Sequence, residues 1–223
     1  MFKNKIVKRL TIAAVIIAVL LVCIKQKNMT LRQSLLKTFY PVLMFANKIF
    51  AGNNTILQNT ANTKPPVSFF SLKAVGNKGQ TINFETFKGK KVLIVNTASN
   101  CGYTGQYEEL EKLHNQYKNN LVIIGFPAND FKDQETGTDE DIATFCKTNF
   151  GVSFPLMKKS IVIKTAQQNE VFQWLTDKNK NGWNNRPPEW NFSKYLVDEN
   201  GVLLNYFPPV ISPLGNEITN AIK

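Results

Sequence analysis

The sequence predicts an α/β domain with a central mixed β-sheet flanked by helices, preceded by an N-terminal apolar helix. Three observations carry this. Two apolar, β-branched runs at residues 91–98 and 121–126 bracket an amphipathic stretch, Gln106–Tyr117, in which Leu110, Leu113 and Tyr117 share one face. Strand, helix and strand in that order form a βαβ unit, with parallel pairing and a right-handed crossover. Downstream, residues 194–197 and 202–207 flank Asp198, Glu199, Asn200 and Gly201, a hairpin signal that adds an antiparallel pair. Helices between such strands pack on the sheet faces as an α/β sandwich.

Taken in chain order, the first element is apolar. Lys3, Lys5, Lys8 and Arg9 precede LTIAAVIIAVLLVCI at residues 10–24. This is a basic segment followed by an uninterrupted apolar run, long for an export signal and short for a span of ~20 residues. No small-x-small cleavage site follows directly, and Val22 before Cys23 does not suit lipoprotein processing. Residues 1–28 are therefore read as an uncleaved signal anchor, with the domain outside the cytoplasm. Cleavage after Phe45 or Phe50 is the alternative, and the nearly balanced charge around the run leaves the cytoplasmic face open. Within residues 29–66, Leu31, Leu35, Leu36 and Phe39 recur at helical spacing up to Pro41. This segment reads either as an amphipathic helix at a membrane interface or as a helix packed on the domain, broken at Pro41. Residues 53–66 are polar and aperiodic and read as a linker ending in Pro65 and Pro66. The folded domain is expected over residues 67–223.

Inside it, residues 69–74 and 81–84 read as a hairpin around Gly76 and Asn77. Thr138 and Asp141 make a capping-box pattern that opens a helix running to residue 148. Residues 170–176 and 214–222 complete the helices. In such sheets the site lies at the carboxyl ends of the parallel strands. The loop holding Cys101 and the loop from Pro127 leave those two ends, so they are expected to meet on one edge.

Composition narrows the chemistry. The 223 residues include three cysteines, Cys23, Cys101 and Cys146, too few for a disulfide scaffold. A single histidine, His114, argues against a metal centre or a histidine-based triad. Net charge is +11 with no Arg-rich, aromatic-interleaved patch, so nucleic acid is not expected as a partner. The charge reads as a solvated basic surface, or as one facing anionic lipid. Cys101 lies in VLIVNTASNCGYT, between a buried strand and a helix starting near Gly105. Backbone N–H groups and the helix dipole there favour a thiolate, the form that attacks peroxides and disulfides. A small buried hydrophobe is the structural alternative.

Four segments then carry a resemblance. NTASNCGYT, GFPANDFKDQETGTDEDI, FGVSFPLM and WNFSKYLVDENG, at residues 96–104, 125–142, 150–157 and 190–201, resemble the glutathione peroxidase family in order and spacing. The resemblance covers nearly all of residues 67–223 and implies a thioredoxin-like fold. It implies that Cys101 is the peroxidatic residue, with Gln134, Trp190 and Asn191 as its active-site partners, and that no cofactor is needed. Their amides and indole N–H can donate to the thiolate or the departing oxygen. Many relatives have a cysteine at Ala128. Here Cys146 matches the resolving cysteine of relatives reduced by thioredoxin, which implies a Cys101–Cys146 disulfide and local unwinding of its helix. Cys146 also shares an apolar stripe with Ile142 and Phe145, the mark of a core position.

The expected function is reduction of hydrogen peroxide or of organic or lipid hydroperoxides through a Cys101 sulfenic acid. Recycling by a thioredoxin-like reductant is expected, with glutathione as the alternative donor. A monomer is expected, and Trp183 is expected on the rim of the site. A disulfide reductase would need a Cys-x-x-Cys, but Thr104 stands at the partner position. A peroxide sensor that relays oxidation to a partner protein would use the same residues and differs only in turnover.

Overall fold

The computed structural model describes Ile16, residues 29–50 and residues 55–223, with side chains described to residue 46 in the first long helix. That helix, α1 (Leu31–Phe50), is capped by Thr30 and Gln33. The Gln33 N–H donates to Thr30 Oγ1 at 3.2 Å and the Thr30 N–H to Gln33 Oε1 at 2.9 Å. Contrary to expectation, Pro41 does not break it. Proline removes one intrahelical bond, but contacts made by Lys37 and Tyr40, on the turn before it, and by Leu43, after it, hold both halves on the domain. The expected anchor at residues 10–24 lies outside the described residues except for Ile16. Among the described residues no helix is long and apolar enough to cross a membrane.

The main sheet has five strands in the order β1-β7-β6-β4-β5. These are β1 (Leu57–Gln58), β4 (Lys91–Thr97), β5 (Leu121–Pro127), β6 (Lys194–Val197) and β7 (Leu203–Phe207). β4 and β5 are parallel and level, from Lys91 opposite Leu121 to Thr97 opposite Pro127, while β6 runs antiparallel to β4. β1 lies inside the stretch read as a linker. It adds an antiparallel edge to β7, and Asn59 continues the bonding to Leu204 O at 2.8 Å. The expected first hairpin forms as β2 (Lys73–Val75) and β3 (Thr81–Asn83), which make a separate two-stranded sheet.

Helices α2 (Gln106–Tyr117), α3 (Asp139–Phe150), α4 (Glu170–Leu175), α5 (Lys178–Asn181) and α6 (Asn216–Ile222) complete the chain. The capping box at Thr138 and Asp141 is present, and Gly151 ends α3 at φ 68°, a conformation that costs other residues more. Alternation along β4 divides the core. Leu93 and Val95 face α2, α3 and both described cysteines, whereas Val92 and Ile94 face Phe69, Phe126 and Trp174. Gly125 in β5 lets the 154–157 segment press close, with Leu156 Cδ2 2.7 Å from where a Cβ would stand. Because β4 and β5 end level, the loops after Thr97 and Pro127 open on the same edge.

Candidate active site

The loop after β4 turns sharply at Cys101. The Thr104 N–H donates to Cys101 O at 3.1 Å, and the Thr104 hydroxyl donates to the same oxygen. Thr104 Oγ1 also accepts from the Cys101 N–H at 3.2 Å. A threonine thus fixes the turn at the position where a disulfide reductase would hold its second cysteine. The turn presents the Tyr103 N–H to Cys101 Sγ at 3.4 Å.

The other expected residues converge here. The Asn100 N–H donates to Gln134 O at 3.0 Å, joining the loop after β5 to the cysteine loop. Asn191 Nδ2 donates to Gln134 Oε1 at 3.0 Å, and the Trp190 and Asn191 side chains hydrogen-bond to Cys101. Trp190 is half-buried against Phe131, with ring centroids 5.6 Å apart, and Lys132 Nζ lies 5.6 Å above its ring. Asn96 in β4 holds this loop in place. Its Nδ2 donates to Trp190 O at 3.1 Å and its Oδ1 accepts from the Ser193 N–H at 3.0 Å. Lys132, Asp133 and Phe192 have φ of 53°, 51° and 67°. Three left-handed non-glycine residues close to the site place backbone strain there.

The electrostatics depart from expectation. Cys101 is fully buried, and burial pushes its thiol up to about 11. The Tyr103 N–H, Trp190, Asn191 and the Lys194 charge all oppose this rise, in that order, but do not overcome it. Of the donors expected to favour the thiolate, Trp190 and Asn191 act on the sulfur while Gln134 instead accepts from the Asn191 amide, and desolvation outweighs them. Cys146 is also fully buried and free, pushed up to about 12 by burial, with Tyr107 as the opposing hydrogen-bond partner. It lies in the same core cluster as Cys101.

Two charged residues were missed from sequence. Lys194 is fully buried in β6, and its Nζ donates to Pro209 O at 3.0 Å and Ile211 O at 2.5 Å. Burial holds its pKa well below the usual lysine range. The detectable signal was a lysine opening an otherwise apolar strand. Glu135, beside Gln134, is 1% exposed and accepts from Ser99 Oγ at 3.0 Å. Burial raises its carboxyl to about 7, and its charge in turn raises Cys146. Trp183 does not reach the rim. Its Nε1 donates to Leu203 O at 2.7 Å and its ring packs on the opposite face of the sheet. Ala128 is buried on that opposite face too, away from Cys101.

Comparison with known proteins agrees with this architecture. The glutathione peroxidase family model matches residues 69–176. A glutathione peroxidase-like peroxiredoxin 2 of Saccharomyces cerevisiae is 43% identical over 159 residues, 70% of this chain and 98% of the relative. The glutathione peroxidase homolog BsaA of Staphylococcus epidermidis is 41% identical over 147 residues, 66% of this chain and 92% of the relative. Among solved structures, the apo form of Trgpx superimposes with a TM-score of 0.54 at 31% identity, covering 70% of this chain and 96% of that one. The mixed sheet flanked by helices is thioredoxin-like, and the four segments that meet at Cys101 and in the core around it sit on a scaffold shared with peroxidases over nearly the whole length of these relatives, so the chain belongs to the glutathione peroxidase family.

Proposed function

We propose that this peroxidase reduces hydroperoxides through Cys101 and is recycled through Cys146 by a thioredoxin-like dithiol. The observation that carries the reading is the convergence of the Tyr103 N–H, Trp190 and Asn191 on Cys101 Sγ. The thiolate attacks the distal peroxide oxygen and the O–O bond breaks. The alkoxide leaves and takes up a proton as the alcohol, while sulfur becomes the sulfenic acid. Trp190 and Asn191 stabilise negative charge at sulfur and at the reacting oxygen. Gln134 holds the Asn191 amide through its own carbonyl oxygen.

Cys146 thiolate then attacks the sulfenic sulfur, hydroxide leaves and is protonated, and a disulfide forms. Two electrons and two protons from the dithiol restore both thiols. Cys146 lies in the middle of α3, between the Thr138 box and Gly151, so this step requires the helix to open locally. The apolar run at residues 10–24 would anchor the enzyme with its domain outside the cytoplasm.

The test is steady-state reduction of hydrogen peroxide by the full chain, with thioredoxin, its reductase and NADPH, beside glutathione. Wild type and Cys146→Ser are run together. Thioredoxin-driven turnover that disappears in Cys146→Ser supports the two-cysteine cycle. Glutathione-driven turnover that survives the substitution returns Cys146 to a core role. Stoichiometric oxidation without turnover would make the protein a peroxide sensor.

A further inference from the structure

Helix α1 precedes the matched family region, yet it lies directly on the cysteine loop. Leu43 Cδ2 is 3.2 Å from where a Cβ on Gly102 would stand, and Tyr40 ring carbons are 2.3 and 2.4 Å from the equivalent point on Gly105. Gly105, four residues after the nucleophile, leaves the room that the Tyr40 ring fills, and Gly102 lets Leu43 approach closely. Tyr40 donates from its hydroxyl to Glu109 at 2.8 Å, and Lys37 Nζ donates to Asn149 O at 2.9 Å while sitting 4.7 Å above the Phe150 ring. Leu31, Leu35, Leu36, Phe39 and Leu43 line an apolar groove of about 520 Å³ that ends at Gly102, next to Cys101.

The outer face of α1, continuous with this groove through Leu31 and Phe39, is apolar and open. Leu31, Phe39, Val42 and Phe45 are 49–66% exposed, four of the eight exposed large apolar residues among the described residues. Charge is also partitioned. Residues 1–84 contain 12 of the 27 Lys and Arg and none of the 16 Asp and Glu, while the rest of the chain is nearly neutral. A second copy docking α1 against α1 would bring two acid-free basic segments together. An anionic lipid surface matches both the charge and the apolar face. The apolar run at residues 10–24 ends seven residues before Leu31. That connection spans ~25 Å at most, so a run in the bilayer keeps α1 at its surface.

We propose that α1 docks on an anionic bilayer through Leu31, Phe39, Val42 and Phe45, holding the Cys101 loop about one helix diameter from the lipid. One helix diameter is ~10 Å. The groove between α1 and Gly102 then leads an oxidised acyl chain from the bilayer to the nucleophile. This last consequence rests on the peroxidase reading of Cys101; the docking does not.

The experiment uses the full chain reconstituted in phosphatidylcholine vesicles, with and without about a third phosphatidylglycerol. In Phe45→Trp, the emission added over wild type should be quenched by acyl-brominated lipid, more strongly when phosphatidylglycerol is present. In parallel, Val42→Asp/Phe45→Asp should slow reduction of phosphatidylcholine hydroperoxide in the same vesicles about tenfold and leave hydrogen peroxide reduction unchanged. Unquenched added emission, or covalent cross-linking of α1 to α1 between copies, overturns the docking even if hydrogen peroxide is turned over. Quenching without any turnover in wild type supports the docking and refutes the peroxidase reading instead. A mature protein that begins after Phe50 also overturns it.

Discussion

Glu135→Gln isolates one buried charge and gives a pH dependence of known sign. The carboxyl is 1% exposed, and burial raises it from 4.5 to about 7, against the opposing hydrogen bonds of Ser99 and the charge of Lys159. Between those pH values the folded chain keeps a proton that the unfolded chain releases. The resulting stabilisation is complete below about pH 4.5 and is lost as pH rises through 7. At 1.36 kcal/mol per unit, the shift amounts to about 3 kcal/mol. Glutamine keeps an acceptor for Ser99 Oγ and cannot titrate. Urea unfolding followed by tryptophan emission at pH 4.5, 6 and 8 gives the stability difference between wild type and variant, in which the other titrating groups cancel. That difference should fall by about 3 kcal/mol across the range. A difference flat to within about 0.5 kcal/mol would mean that Glu135 titrates as a solvated carboxylate, and the burial argument fails.

Other consequences are equally direct. Cys101→Ser should lower hydroperoxide turnover at least ~10³-fold in the NADPH-coupled assay without changing the urea midpoint. Gln134→Ala and Asn191→Ala should each lower kcat/KM about 10²-fold, and because their amides are bonded to each other the double variant should lose less than the product of the two. Tyr40→Phe removes the bond to Glu109 and should cost about 1 kcal/mol while speeding alkylation of Cys101 by iodoacetamide; an unchanged alkylation rate would show that α1 does not control access. Gly151→Ala forces a left-handed residue at the end of α3 and should cost about 1 kcal/mol in urea unfolding.

Much of the fold is legible because its signals are periodic and long. Helix α2 forms at the expected Gln106–Tyr117, and the 3.6-residue spacing of Leu110, Leu113 and Tyr117 suffices to set it. The seven-residue strands β4 and β5 and the hairpin of β6 and β7 appear within a residue or so of their expected bounds. β1 is invisible because two residues cannot display a period of two; its existence depends on the open edge of β7. Continuity of α1 through Pro41 is likewise a tertiary outcome, since local propensity argues for a break and the contacts of Tyr40 and Leu43 override it. Trp183 and Trp190 are chemically alike in sequence and share the connection between α5 and β6, and only the path of that connection, held at Trp190 O by Asn96, decides which one meets Cys101.

The charge state of Cys101 is the clearest case of what residue types cannot give. Donor identities were readable, and the Tyr103 N–H, Trp190 and Asn191 do meet the sulfur. Solvation depends on what lies above the loop, and α1 lies there. Burial holds the thiol at about 11, so the protonated form dominates at neutral pH. α1 packs on Gly102 and Gly105 beside that loop, while every group that lowers the thiol, Tyr103, Trp190, Asn191 and Lys194, belongs to the domain. The donor set at the sulfur is built, and burial rather than donor identity decides the charge state of Cys101.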